Sequence, residues 1–255
     1  MALCAMLLQF LTKLPHVPRD FLSLLSHFGD RLSIFYFMHG KQRLWIFVPQ
    51  SGIMGKKEGR VMIFQVLGLG VLAVFYGCYF GKMLRQRRQG IRTDQIGVGR
   101  GKHGRVLAIE LTMKAASLLV PLAEVSSIAL NAASLPAGAR WLGLGLAVLG
   151  DAAFALSVVT MKDSWRAGVP ESDKTDLVTT GIYQYSRNPA FLGFDLVYLG
   201  LLLMFFNIPL LVLSLFAVVM FHLQIVYVEE PFLVKAFGAE YQTYSQAVRR
   251  YFGRK

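Results

Sequence analysis

The sequence predicts an all-α fold: a polytopic membrane helical bundle of about five transmembrane helices, with a C-terminal helical hairpin and a cytoplasmic tail. Of the 255 residues, 55% are apolar and the mean hydropathy is +0.48, so the chain is more apolar than most soluble domains. Several apolar runs reach the ~20 residues that a helix needs to cross a bilayer. The basic residues lie between and beside these runs, which suits anionic membrane lipids and excludes nucleic acid as the expected partner.

The predicted elements follow an N-terminal extension, residues 1–60, to which the sequence assigns no function. A membrane domain covers 61–255, with its predicted catalytic core in 162–255. Apolar runs within this domain predict five spans, at 61–83, 106–130, 141–161, 190–206 and 210–228. Gly143, Ala147 and Gly150 give the third span a small-residue face for close helix packing. Asn207 and Pro209 predict a tight turn between the last two spans, and a polar tail follows.

Five spans place the segments 82–105, 162–189 and 232–255 on one side of the membrane. These segments carry eight, four and five Lys and Arg residues, whereas the short loops on the other side carry only Arg140. The positive-inside rule makes the basic side cytoplasmic. The N-terminal extension opposes this assignment, because it holds eight Lys and Arg residues and lies outside in a five-span topology.

Three patterns that resemble functional motifs have simpler interpretations. The run from Gly99 to Gly104 fits G-x-G-x-x-G, but no strand precedes it, so it predicts a flexible, lipid-facing basic loop instead of a dinucleotide site. The five histidines and two cysteines lack metal-ligand spacing, and we expect no metal site. Glu110 and Lys114 are four residues apart and are expected to pair on one helix face.

Two polar clusters flank the last pair of spans, and a helical hairpin would return both clusters to one membrane face. They comprise Tyr183, Tyr185, Arg187, Asn188 and Pro189 on one side, and Glu229, Glu230, Tyr241 and Tyr244 on the other. A proline in the first turn of a helix leaves N–H groups that favour an anion, and a nearby arginine can bind a carboxylate bidentately. Carboxylates and tyrosine rings suit a positive centre and a flat base. Asp195, less than two turns further on, either lines the cavity or ties two helices together.

The same residues carry a resemblance to a known family. The segment GIYQYSRNPAFLG is similar to G-x-Y-x-x-x-R-H-P-x-Y-x-G, and EEPFLVKAFGAEYQTY fits E-E-x-x-L-x-x-x-F-G-x-E-Y-x-x-Y. Both patterns, in this order and separated by a hairpin, are typical of the integral-membrane isoprenylcysteine carboxyl methyltransferase family. The chain departs from the first pattern at Asn188, where the family has His, and at Phe191, where it has Tyr.

The resemblance implies S-adenosylmethionine as cofactor, bound at the cytoplasmic end of the bundle, and a lipophilic substrate that arrives from the bilayer. By position it assigns the cofactor site to Tyr183, Arg187, Asn188, Pro189, Gly193, Glu230, Tyr241 and Tyr244. Glu229, Arg187 and Asp195 are the candidate catalytic residues, with Glu229 as the base if the acceptor is an amine or a phenol. Two alternatives remain open: an NADPH-dependent sterol-type membrane reductase, for which Arg249 and Arg250 could bind a phosphate, and a non-enzymatic membrane protein that retains the fold.

Overall fold

The structure, a computed structural model, describes residues 32–39, 42–49, 58–99, 102–132, 134–170 and 175–254. The chain divides into two compact units, Met1–Lys56 and Lys57–Lys255. In the first unit, strands β1 (Leu32–His39) and β2 (Gln42–Pro49) pair antiparallel, with Leu32 opposite Pro49 and His39 opposite Gln42. This hairpin lies in the extension to which the sequence assigns no function.

The second unit is helical, as the fold-class prediction requires, and this prediction is confirmed. Its helices are α1 (Glu58–Arg88), α2 (Gly104–Ala129), α3 (Ala137–Met161), α4 (Pro189–Met204), α5 (Ile208–Gln224) and α6 (Glu230–Ala247). Among the described residues, four segments are long and apolar enough to cross a membrane: Ile63–Arg88, Gly104–Ala129, Ala137–Ser164 and Ile208–Ala247. Helix α4, the fourth predicted span, has only 16 residues and is shorter than the ~20 of a full crossing.

The predicted polar tail is largely helical, which corrects the sequence interpretation. Helix α5 continues through a π-helical turn, Ile225–Glu229, directly into α6. Within α6 the backbone breaks at Gly238, whose φ of +50° is a conformation that residues with a Cβ rarely adopt. The F-G of the second motif therefore marks a bend in a helix.

Helices α4 and α5 form the predicted hairpin. The side chain of Asn207 caps α5 by accepting a hydrogen bond from the Leu210 amide at 3.0 Å, and its amide nitrogen donates to Ser127 of α2 at 2.7 Å. Because the turn is tight, α5 runs back to the end of the bundle at which α4 begins. The two polar clusters therefore lie at the same end, as the sequence predicts.

The small-residue face of α3 packs directly on α4, which confirms that prediction. A Cβ added at Gly150 would lie 2.8 Å from both the Gly193 carbonyl oxygen and the Val197 amide nitrogen. A Cβ at Gly143 would lie 2.5 Å from the Gly200 carbonyl oxygen. The backbones thus touch where both helices carry glycine, which fixes the start of α4 relative to the end of α3.

Gly150→Ala is expected to destabilise the protein, because the new methyl group meets backbone atoms that cannot move aside. We expect overpacking to lower the free energy of unfolding by about 1–3 kcal/mol. Gly145→Ala on the same helix is the matched control, since nothing lies within 4 Å of a Cβ there. Thermal unfolding in detergent checks both variants, and equal melting temperatures for the two would contradict the packing argument.

The loop before α2 is folded back, and it differs from the sequence interpretation in two respects. Glu110 and Lys114 do not pair with each other, and Lys102, in the run predicted to face lipid, is buried; Arg100 and Gly101 of that run lie outside the described residues. Glu110 accepts hydrogen bonds from Lys102 Nζ at 2.8 Å and from the Gly97 amide at 2.7 Å, whereas Lys114 pairs with Asp94 at 2.6 Å. The Lys102 side chain is only 8% exposed, so this part of the loop does not face lipid. Burial of the Glu110 carboxylate at the start of α2 requires a nearby cation, and the folded loop supplies Lys102.

The connections at this end are tied to one another by hydrogen bonds. The Gln95 amide donates to the Ala167 carbonyl at 2.8 Å, and the Ala167 amide donates to the Thr93 carbonyl at 3.0 Å. Gln86 of α1 donates to the Trp165 carbonyl at 2.9 Å and accepts from the Thr93 hydroxyl at 2.7 Å. The segments 91–98 and 163–168 therefore form one wall beside the two polar clusters.

Candidate functional site

A cavity of about 210 Å³ lies at the end of the bundle where the two polar clusters meet. Six of the residues predicted for the site line it: Tyr183, Arg187, Asn188, Glu229, Tyr241 and Tyr244. Much of the remaining wall is apolar and aromatic, with Phe154, Trp165, Phe194 and Phe221 among the lining residues. The cavity thus joins a polar end at the motifs to an apolar interior.

The first motif enters the site through a short 3₁₀ helix, Gly181–Gln184. Gly181 has φ of +59°, and a Cβ there would lie 3.0 Å from the Thr160 side chain, so both conformation and space favour glycine. Tyr183 is buried, and its carbonyl oxygen accepts a hydrogen bond from the Tyr244 hydroxyl at 2.6 Å. Burial raises the pKa of the Tyr183 hydroxyl above its ordinary value, which keeps that group neutral and able to donate a hydrogen bond.

Helix α4 begins at the cavity, as predicted from Asn188 and Pro189. Asn188 is the N-cap residue and Pro189 occupies the first turn, where a missing N–H costs nothing. The Asn188 side chain does not cap the helix; it donates to the Arg250 carbonyl at 3.0 Å. Ala190 and Phe191 of the first turn line the cavity, so the positive end of the helix dipole lies beside it.

The two glutamates of the second motif are adjacent in the sequence, but their side chains have different surroundings. The π-helical turn ends at Glu229, and Glu230 follows it. Glu229 lines the cavity, whereas Glu230 forms ion pairs with Arg187 and Arg250. π-helical turns are frequent at functional sites because the extra residue re-aims the side chains that follow.

Arg187 lies at the centre of the polar end. Its Nη1 donates to the Tyr241 hydroxyl at 2.6 Å and lies 3.0 Å from Glu230 Oε1. The side chain is only 9% exposed. Its Nε is buried and has no hydrogen-bond partner among the described residues. A buried guanidinium N–H without an acceptor at a cavity wall indicates a place for an anionic group.

A segment that the motif analysis missed, Val248–Arg254, holds this arrangement together. The Arg249 carbonyl accepts from the Arg187 amide at 3.1 Å, and the Gly253 amide donates to the Tyr185 carbonyl at 2.7 Å. The Arg250 guanidinium donates two hydrogen bonds to Glu230, which raise the pKa of the arginine. The adjacent arginines Arg249 and Arg250 were the sequence feature that marked this segment. Their interpretation as a phosphate site does not fit, because Arg250 is ion-paired with Glu230.

The cavity also extends beyond the predicted catalytic core of 162–255. Tyr79 of α1, Ile96 of the folded loop, and Met113 and Ser117 of α2 belong to its wall. These residues carry no motif, because an apolar wall position has the same sequence pattern as any other buried or lipid-facing helix position. The part of the chain before α3 therefore shapes the cavity as well as supporting it.

Some predicted site residues are not on the cavity wall. Gly193 packs on α3, where a Cβ would lie 2.9 Å from the Phe154 amide nitrogen. Pro189 and Glu230 support the wall from behind, and Tyr185 is 56% exposed. Asp195 is not among the lining residues, and its Oδ1 is buried without a hydrogen-bond partner among the described residues.

Two comparisons with known proteins match part of this chain. Residues 139–240 match the model of a family described as phospholipid methyltransferase. Over 109 residues the chain is 34% identical to a protein from Saccharomyces cerevisiae, the Protein-S-isoprenylcysteine O-methyltransferase. This alignment covers 42% of the present chain, which spans just under half (46%) of the yeast protein. The region that the family model matches, residues 139–240, includes most of α3, the first motif, the hairpin and most of the second motif. Over this part, the chain is similar to a family of membrane methyltransferases, in line with the resemblance that its two motifs carry.

Proposed function

We propose that this protein is an integral-membrane methyltransferase that uses S-adenosylmethionine. Its substrate is a lipophilic or membrane-associated small molecule with a carboxylate, thiol or amine acceptor. The family match, the name of the yeast relative and the two motifs support the reaction class. When bound, the cofactor supplies an activated methyl group, and the chain's own residues bind it, orient it and exclude water.

The observation that carries the proposal is the unpartnered Nε of Arg187. Arg187 lines the cavity, its buried Nε has no acceptor among the described residues, and the first turn of α4 lines the same cavity, so two positive features lie beside one space. A carboxylate satisfies both, and the cofactor has one. Tyr241 and Tyr244 line the same end and offer ring faces to a flat base. The residues present therefore fit S-adenosylmethionine.

The remaining predicted cofactor residues act from behind the wall in this proposal. Asn188 and Pro189 set the start of α4, Gly193 sets its distance from α3, and Glu230 orients Arg187. Tyr183 contributes a wall position next to Tyr244. Asp195 lies outside the cavity lining. It therefore stays a candidate catalytic residue only for a substrate that extends beyond the polar end of the cavity.

The apolar part of the cavity supports a lipophilic substrate that arrives from the bilayer. Aromatic rings make up much of its lining, and the helices around it expose apolar side chains along their outer faces. The basic segments at this end support its assignment to the cytoplasmic face. An apolar wall that excludes water also prevents water from competing with the acceptor for the methyl group.

The reductase alternative is disfavoured by the contacts of Arg250. Both of its hydrogen-bonded nitrogens are committed to Glu230, so it does not present a free cation to the 2′-phosphate of NADPH. A protein that binds no ligand has no need of a buried donor without an acceptor at the cavity wall. The Nε of Arg187 therefore gives no support to a non-enzymatic role.

Calorimetric titration of the detergent-purified protein tests the proposal. We expect saturable binding of S-adenosylhomocysteine, the demethylated cofactor, and none of NADPH. Binding of NADPH alone would contradict the proposal and favour the reductase alternative. Binding of neither would make the non-enzymatic membrane protein the leading interpretation.

A further inference from the structure

We propose that Arg250 is a positioning residue of the cofactor site, acting through Glu230 to hold the guanidinium of Arg187 at the cavity. The inference rests on the proposed function and deepens it. Arg250 lies outside both motifs and beyond residues 139–240, the region that the family model matches. Its role therefore comes from the contacts alone.

The three side chains form a continuous ion-pair chain. Arg250 Nε lies 2.8 Å from Glu230 Oε1, and Arg250 Nη2 lies 2.8 Å from Glu230 Oε2, which is a bidentate geometry. Arg187 Nη1 shares the same Oε1 at 3.0 Å. Exposure falls along the chain, from 34% for Arg250 through 18% for Glu230 to 9% for Arg187. Arg250 thus covers the buried pair on its solvent side.

The charge of this cluster explains why two arginines are needed. Arg187 and Glu230 alone would be neutral as a pair, and Glu230 would draw the Arg187 guanidinium away from any ligand anion. The second arginine, Arg250, donates one hydrogen bond to Oε2 of Glu230 and another to Oε1, the oxygen that Arg187 also contacts. With it the cluster carries a net charge of +1, and the Nε of Arg187, a residue that lines the cavity, has no acceptor among the described residues. The ligand group that this arrangement recognises is a carboxylate.

The backbone of the same segment adds a second restraint. The Arg250 carbonyl accepts from the Asn188 side chain at 3.0 Å, and the Arg249 carbonyl accepts from the Arg187 amide at 3.1 Å. The Arg249 side chain itself is exposed. Arg249→Ala therefore removes the same charge from the same segment without touching Glu230, and it serves as the matched control.

The test measures the affinity for S-adenosylhomocysteine and the melting temperature of each variant in detergent. Arg250→Ala should weaken binding by about tenfold or more, because charge-assisted hydrogen bonds to a buried carboxylate are lost. Arg250→Lys, which keeps the charge but loses the bidentate geometry, should restore part of the affinity. Arg249→Ala should bind within about twofold of the wild type. Arg250→Ala should keep a melting temperature close to that of Arg249→Ala, since the backbone contacts remain.

A double-mutant cycle separates positioning from a general structural effect. If Arg250 acts through Glu230, then Arg250→Ala should cause little further loss in a Glu230→Gln background. Full additivity of the two changes, or wild-type affinity in Arg250→Ala, would overturn the inference. If Arg250→Ala does not fold, Arg250→Gln and Arg250→Lys provide the same comparison. Failure of the wild type to bind S-adenosylhomocysteine would overturn the proposed function itself, which is a different result.

Discussion

Arg187→Ala is expected to abolish detectable binding of S-adenosylhomocysteine, with a loss of at least about 100-fold in affinity. The side chain is buried at the polar end of the cavity and contacts both Tyr241 and Glu230. Truncating one member of a buried, hydrogen-bonded charge pair costs about 2–5 kcal/mol in binding, which corresponds to a factor of 30 or more. Under the proposed function, the truncation also removes the Nε donor that a ligand carboxylate would accept from.

The protein should still fold, which makes this variant informative. Glu230 keeps its two hydrogen bonds from Arg250 when Arg187 is truncated, so no carboxylate is left buried and unpaired. Arg85→Ala, at an exposed position near the end of α1, is a control for the loss of one positive charge. Calorimetric titration measures both variants. Tight binding by Arg187→Ala would exclude Arg187 from the cofactor site.

Glu229→Gln is expected to lower methyl transfer to an amine acceptor by about 100-fold or more, the usual contribution of a general base. Glu229 lines the cavity, and it has no ion pair with another described residue. An amine must lose a proton when it is methylated, whereas a carboxylate acceptor is already ionised. The same variant should therefore transfer methyl groups to a carboxylate acceptor at close to the wild-type rate.

Transfer of a radiolabelled methyl group to two probes distinguishes these cases. Phosphatidylethanolamine vesicles present an amine, and a farnesylated cysteine derivative presents a carboxylate; both follow the names of the matched family and relative. Glu240→Gln, at an exposed acid of the same motif, is the matched control. Affinity for S-adenosylhomocysteine should stay within about threefold of the wild type. Unchanged transfer to every accepted probe would remove Glu229 from the catalytic residues.

The membrane fold and the meeting of the two motifs could be predicted because both depend on local patterns. Runs of apolar residues are long enough to identify the spans, and Asn207 and Pro209 identify the hairpin turn. Once the hairpin is known, Arg187 and Tyr241 must lie at the same end of the bundle. The length of α4 was not predictable in this way, because its apolar run extends past Met204 while the helix ends there.

The partners of the charged side chains could not be predicted from local sequence patterns. Spacing predicted that Glu110 would pair with Lys114, but the folded loop brings Lys102 to it instead. Glu229 and Glu230 are neighbours in the sequence, yet a π-helical turn gives one to the cavity and the other to two arginines. Gly193 matches the family pattern at a position that the structure uses for contact with α3. Each of these outcomes depends on how loops and helices fold and pack, which spacing along the sequence does not specify.

By itself, the sequence determined that the chain is a helical bundle with apolar spans and that two polar motifs meet at the ends of the last two of them. Apolar length, basic loops and motif residues are properties of short segments, and they persist whatever the rest of the chain does. Only the tertiary structure decided which charges neutralise one another, which residues line the cavity and that Arg250 pairs with Glu230. A buried charge needs a partner within a few ångströms, and that distance is set by the packing of helices and loops, not by position in the sequence.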